Sequence, residues 1–165
     1  MTQSAAIDLN RHVYGEPDAP ITVVEYGDFE CPYCKAAAPK LRSLINESEG
    51  QVRLVWRHFP LFQVHAFALT AALAAEASGT HFWEMHDLML ANQDHLSDQD
   101  LDRYAAEVGA GVVTGAVAQA FKPAVHADYE AGSESGVHGT PTLFIDGRLY
   151  TGKVDLATLR QELMV

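Results

Sequence analysis

Ile21-Thr22-Val23-Val24-Glu25-Tyr26-Gly27-Asp28-Phe29-Glu30-Cys31-Pro32-Tyr33-Cys34 is the stretch on which the reading of this chain turns. Ile21 to Tyr26 is β-branched and mostly apolar, and it reads as a central strand. Gly27 and Asp28 break the strand, and a Cys-x-x-Cys pair follows at once. From Tyr33 to about Asn46 the pattern is helical, with a kink expected at Pro39, which has no N–H to offer the carbonyl of Lys35. These are the only 2 cysteines of the chain. A secreted disulfide scaffold would carry more, spread along the sequence, so a lone pair points to redox chemistry. Zinc is not expected, because no second Cys-x-x-Cys or paired histidine motif completes a set of ligands.

Placing Cys31 at the N-cap of the helix gives the pair its chemistry. Pro32 then occupies N1, where a missing N–H costs nothing. The free N–H groups of Tyr33 and Cys34 point back toward the Cys31 sulfur and, with the helix dipole, stabilise a thiolate. Such sites lower a cysteine pKa from ~8.5 to roughly 3.5–7.5. Cys31 is therefore expected to be the exposed, acidic nucleophile. Cys34, one turn along the same face, is expected to be the more buried, resolving thiol.

Glu25 is the only charge in its strand. Buried, its carboxyl would have a raised pKa and could relay a proton for Cys34. By period-2 alternation it could instead point to a solvent face. Asp28 and Glu30 read as solvated loop charges that oppose thiolate formation at Cys31. His138, two residues before Thr140-Pro141, is a further candidate to approach the thiolate, beside its plain reading as a loop residue. The other histidines read as packed or solvated side chains.

Outward from this stretch, residues 1–20 read as a polar lead-in. Val52 to Phe59 is a second strand, with Val52, Leu54 and Trp56 on one face and Arg53 and Arg57 on the other. A long helical stretch follows: Ala66 to Ala77, His81 to Ala91, a helix capped by Ser97 and Asp100 and running to Val108, then one or two helices from Thr114 to about Glu134. Strand chemistry returns at Thr142 to Ile145, Asp146-Gly147 signals a type I′ hairpin, and a last helix runs from about Asp155 to Leu163. So many helical residues exceed what one crossover needs. They are expected to form a helical subdomain, residues 62–135, inserted into an α/β core made of residues 1–61 and 136–165.

The formal charge of −11, from 22 acidic and 11 basic residues, argues against nucleic acid and anionic membrane surfaces as partners. No apolar run approaches the ~20 residues of a membrane span. Met1 to Asn10 has neither a basic n-region nor an apolar h-region. A cytoplasmic location is therefore expected, or a periplasmic or secreted one if a signal has been removed.

The active segment Glu25 to Cys34 resembles that of the DsbA-like thiol–disulfide oxidoreductases of the thioredoxin superfamily. So do Arg57-His58-Phe59-Pro60-Leu61, His81-Phe82-Trp83-Glu84-Met85-His86 and Gly139-Thr140-Pro141-Thr142-Leu143-Phe144-Ile145. The resemblance spans almost the whole chain, in order. It implies an α/β, thioredoxin-like fold with an inserted all-helical subdomain. It implies Cys31 as attacking thiol, Cys34 as resolving thiol, Glu25 as a buried acid, and Pro141 as a cis-proline preceded by Thr140. Thr140, Pro141, Tyr33 and Pro32 are then the residues expected to meet substrate. No cofactor is expected. The partners implied are protein or peptide thiols and disulfides, and a recycling thioredoxin or glutathione system.

The Pro-Tyr dipeptide departs from the Pro-His of the strongly oxidising periplasmic members. A reductase or isomerase is therefore expected rather than a strong oxidant. A glutathione-linked reductase of mixed disulfides and a non-enzymatic redox-switch module are the alternatives.

Overall fold

Residues 1–3 and 7–165 are described by a computed structural model. Its centre is β2 (Ile21–Gly27), which pairs in parallel with β3 (Val52–His58) and antiparallel with β4 (Thr142–Ile145). β5 (Arg148–Leu149) follows β4 through Asp146-Gly147, whose φ values of 46° and 79° are those of the expected type I′ turn. The sheet order is β1-β3-β2-β4-β5. The outer strand β1 (Val13–Tyr14) lies inside the segment read as a polar lead-in. At two residues it is too short for periodicity to register, and it is held by pairing with Val55 and Leu54 of β3.

Both faces of the sheet are covered. On one, Val23, Val52, Leu54, Leu143 and Ile145 pack under α1 (Pro32–Glu47) and the C-terminal helix α7 (Leu156–Leu163). On the other, Val24, Tyr26, Val55, Phe59 and Phe144 form a second layer. Five α-helices intervene between β3 and β4: α2 (Ala68–Ala77), α3 (Phe82–Ala91), α4 (Asp98–Val108), α5 (Gly115–Gln119) and α6 (Lys122–Glu134). α6 packs on β3, which covers the face of Arg57. That side chain is 1% exposed, and its Nε lies 3.8 Å from Oδ1 of the buried Asp128. Arg11 pairs with the same carboxylate, which also accepts the backbone N–H of His58 at 3.1 Å. Burial of an arginine on a strand is tolerated here because the ion is paired.

The helix boundaries follow local chemistry. Ser97 and Asp100 complete a reciprocal capping box, and Gly109 closes α4 in the left-handed region at φ 84°. α1 runs unbroken through Pro39. Gly27 at the end of β2 has a packing reason: a Cβ there would lie 2.1 Å from the Trp56 ring. Trp56 can fill the space beneath the cysteine turn only because position 27 has no side chain.

Candidate active site

The parallel register sets Glu25 opposite Trp56. Alternation then puts Glu25 on the same face as Val23, under α1. The solvent-facing alternative fails because the sheet is covered on both sides, and Glu25 is 1% exposed. Its Oε1 is buried without a hydrogen-bond partner among the described residues. Burial drives its pKa from 4.5 to about 8, against a pull from Arg42 and with a push from Cys31.

Cys31 is the N-cap of α1, extended at φ −72° and ψ 119°, with Pro32 in the first turn. Its sulfur lies 3.3 Å from the Thr140 carbonyl oxygen, to which the thiol can donate. The Thr140–Pro141 peptide bond is cis. A donor from Cys34 lowers the Cys31 pKa to about 5; partial burial opposes this, and the Thr140 side chain and the backbone N–H groups of Cys34 and Tyr33 assist it. Burial pushes the Cys34 thiol well above its usual value, and its bond to Cys31 and the charge of Glu25 add to this. The two thiols thus differ strongly in acidity, in the expected direction. The expected exposure of Cys31 requires correction: it is 3% exposed, because Thr140 packs over the sulfur. Tyr33, at 72% exposed, and Pro32 form the open side of the turn. Tyr33, Ala36, Lys40, Thr140, Pro141 and Val154 line a groove of about 330 Å³ alongside it.

Asp28 is the larger correction. It is buried, not solvated, because three donors hold its carboxylate: the backbone N–H of Glu30 at 2.7 Å, that of Leu61 at 2.8 Å and the His65 ring at 2.8 Å. Glu30 accepts the backbone N–H of Phe67 at 2.7 Å. Both acids therefore tie the cysteine turn to the loop before α2. A third tie comes from Gln93, beyond α3, whose Nε2 donates to the carbonyls of Phe29 at 2.9 Å and Cys31 at 2.8 Å. His138 is exposed, whereas the histidine that senses the Cys31 charge is His65. Neither His65 nor Gln93 belongs to a motif or a periodic pattern, so the sequence carried no signal for them.

His12, His58 and Glu76 bring candidate metal-ligand atoms within 4.8 Å of one another. The hydrogen bonding argues against a cation. The Trp56 indole N–H donates to His58 Nδ1 at 3.1 Å, which leaves the ring proton on Nε2, where it reaches Glu76 at 2.8 Å. Ligation through Nε2 would require an imidazolate. The trio is instead a buried carboxylate shared by two imidazoles. Although burial opposes the charge, both histidine bonds hold the Glu76 carboxyl far below its usual range.

A family model described as Thioredoxin matches residues 8–163. The chain is 43% identical to a protein named Na(+)/H(+) antiporter NhaA 3 from Salinispora tropica, across 96% of this chain and 25% of that one. It is 37% identical to Na(+)/H(+) antiporter NhaA 1 from Mycolicibacterium gilvum, across 93% of this chain and 26% of that one. It thus spans about a quarter of the length of these curated relatives. Among solved structures, oxidised BdbD from Bacillus subtilis superposes with a TM-score of 0.78 at 20% identity, covering 99% of this chain and 94% of that one. The thiol-disulfide exchange protein α-DsbA2 from Wolbachia pipientis gives 0.79 at 23%, covering 95% and 87%. Pseudomonas aeruginosa DsbA2 gives 0.66 at 25%, covering 95% and 96%.

Proposed function

The chain belongs to the thioredoxin family, as a thiol–disulfide oxidoreductase of DsbA-like fold, and from that premise we propose that it exchanges disulfides with protein substrates through Cys31, as a reductase or isomerase rather than a strong oxidant. The observation that carries this reading is the split in acidity between Cys31, near 5, and Cys34, well above 9. At neutral pH Cys31 is a thiolate and Cys34 a thiol.

In the reducing direction the Cys31 thiolate attacks one sulfur of a substrate disulfide. A mixed disulfide forms, and the other substrate sulfur leaves as a thiolate. Forming the mixed disulfide removes the Cys31 charge that helps hold the Glu25 proton. Glu25 releases that proton to solvent, its carboxylate takes the Cys34 proton, and the Cys34 sulfur attacks the Cys31 sulfur. The second substrate thiolate is released, and the Cys31–Cys34 disulfide remains. Substrate has gained two electrons and the enzyme has lost two. An external dithiol or glutathione restores the pair. In the isomerase mode a substrate thiolate displaces Cys31 instead, with no net transfer. An extended substrate chain would lie along Thr140-Pro141 and Tyr33, in the groove beside the turn.

A Cys31 pKa near 5 lies between thioredoxin's ~7 and DsbA's ~3.5. Thiolate stabilisation raises the potential, so an intermediate value follows, about −200 mV. Equilibration against glutathione buffers tests the direction. A value above about −150 mV would make the protein an oxidant. At the intermediate value a reducing cytoplasm would keep the pair charged with electrons, which is the compartment we propose for it.

The curated relatives favour a second reading. They are named as antiporters, and this chain matches a quarter of each. The same dithiol could act as a redox switch on an antiporter. A switch cycles once per signal, whereas an enzyme turns over, and turnover separates the two readings.

A further inference from the structure

The strongest feature outside the thiols, Glu25 and the substrate groove is the junction of two loops at Asp28. The turn from Asp28 to Cys31 leads into α1, and the segment from Leu61 to Phe67 leads into α2. Asp28 sits between them with its side chain fully buried, while the His65 ring that meets it is 23% exposed. We infer that His65 is a positioning residue for the disulfide chemistry: its imidazolium, held on Asp28, cancels the negative charge beneath the Cys31 turn and so keeps the nucleophile acidic.

The geometry gives the pair this role. The backbone N–H of Cys31 donates to the Asp28 carbonyl at 3.1 Å, so the carboxylate and the nucleophile share one tight turn. A buried carboxylate at that distance in sequence repels a developing thiolate with little solvent screening. Two of its three donors are neutral backbone groups, and only His65 can supply a compensating charge. Of the other ionisable groups around this turn, Lys35 is a cation but is exposed on the first turn of α1 and is not among the donors to Asp28, and the rest cannot supply one. Glu30 is acidic, Glu25 lies below Cys31 and is acidic, and Cys34 is a thiol. Partial burial works against a charged His65, yet the Asp28 hydrogen bond and charge raise its pKa, with Glu30 and Cys31 adding to the effect. The influence between His65 and Cys31 is reciprocal: if the thiolate favours the imidazolium, the imidazolium favours the thiolate. Tyr33 leaves the Cys-x-x-Cys dipeptide without a cation, and the loop before α2 supplies one from outside the motif.

The inference rests on Cys31 being the nucleophile, but its test needs no substrate. Thiolate absorbance near 240 nm is titrated in the reduced protein, in His65→Gln, in Asp28→Asn and in the double variant. His65→Gln keeps a hydrogen-bond donor and removes the charge. It is expected to move the Cys31 midpoint upward by about half a unit or more. In the Asp28→Asn background the same change should do little, since nothing remains to be cancelled. A His65→Gln titration that overlays the wild type overturns the inference. So does a shift equally large without Asp28, because that is packing rather than charge. If Asp28→Asn does not fold, His65→Arg decides: restoring the charge should return the Cys31 midpoint toward the wild type, and a midpoint that stays with His65→Gln overturns the inference. A wild-type Cys31 that titrates near 9 would instead contradict the reading of Cys31 itself.

Discussion

Glu25 on β2 stands opposite Trp56 on β3, and both turn toward the underside of α1, beneath the cysteine turn. The carboxyl is thus enclosed by an indole and a helix, with an oxygen that finds no donor among the described residues. This is a group that prefers to keep its proton, close enough to Cys34 for its charge to raise that thiol's pKa, and Cys34 is the thiol proposed to lose a proton in the reaction. Glu25→Gln is expected to slow release of substrate from the mixed disulfide more than its formation, which stopped-flow kinetics can separate. Equal effects on the two steps, or none, would remove the relay.

The same carboxyl leaves a mark on stability. Between pH 4.5 and 8 the folded protein holds a proton on Glu25 that the unfolded chain releases, so this group makes stability fall as pH rises. The loss at pH 7 is on the order of 3 kcal/mol. Cys31 contributes with the opposite sign, since its lowered pKa gives stability that grows as pH rises above about 5. The difference between wild type and Glu25→Gln isolates the Glu25 contribution. In denaturant melts of the reduced proteins, the variant is expected to gain on the wild type steadily from pH 5 to pH 8. A difference independent of pH would contradict the burial assigned to Glu25.

Cys31 and Cys34 should be distinguishable by alkylation. At pH 6 a thiol with a pKa near 5 is mostly thiolate, whereas one above 9 is almost wholly protonated. Iodoacetamide is expected to label Cys31 about 100-fold faster than Cys34 or more, read by peptide mass mapping of reduced protein. Similar rates would mean that Thr140 shields the Cys31 sulfur too well for its acidity to matter.

Asp128 holds two arginines of different burial. Asp128→Ala would leave Arg57 charged and enclosed, at a cost of about 3–5 kcal/mol. Arg57→Ala measured alongside, and the double variant, should show strong coupling. Arg11 is 30% exposed, so Arg11→Ala should cost about 1 kcal/mol or less. Equal losses for Arg11→Ala and Asp128→Ala in urea unfolding would contradict this ranking.

Much of this was legible in the sequence. The Ile21 to Tyr26 run, the Cys-x-x-Cys at a helix start, the Ser97 cap and the Asp146-Gly147 turn each obey a local rule, and each element formed where the rule put it. What was not legible depends on partners distant in the chain. Asp28 looks like a loop charge until Leu61 and His65 arrive from another loop. Arg57 reads only as a charge on the strand face opposite Trp56 until α6 covers it, and β1 exists only because β3 offers an edge. Gln93 reaches the cysteine turn from beyond α3, and no spacing rule connects residues 93 and 31.

The central claim, that this protein turns over disulfides through Cys31, is tested most directly by insulin reduction. With dithiothreitol in excess and the protein substoichiometric, precipitation of the insulin B chain is followed by turbidity for wild type and Cys31→Ser. The wild type is expected to advance the onset through many turnovers per molecule, and Cys31→Ser to return it to the uncatalysed time. A wild type that gives no acceleration, or an acceleration that survives Cys31→Ser, would contradict the claim.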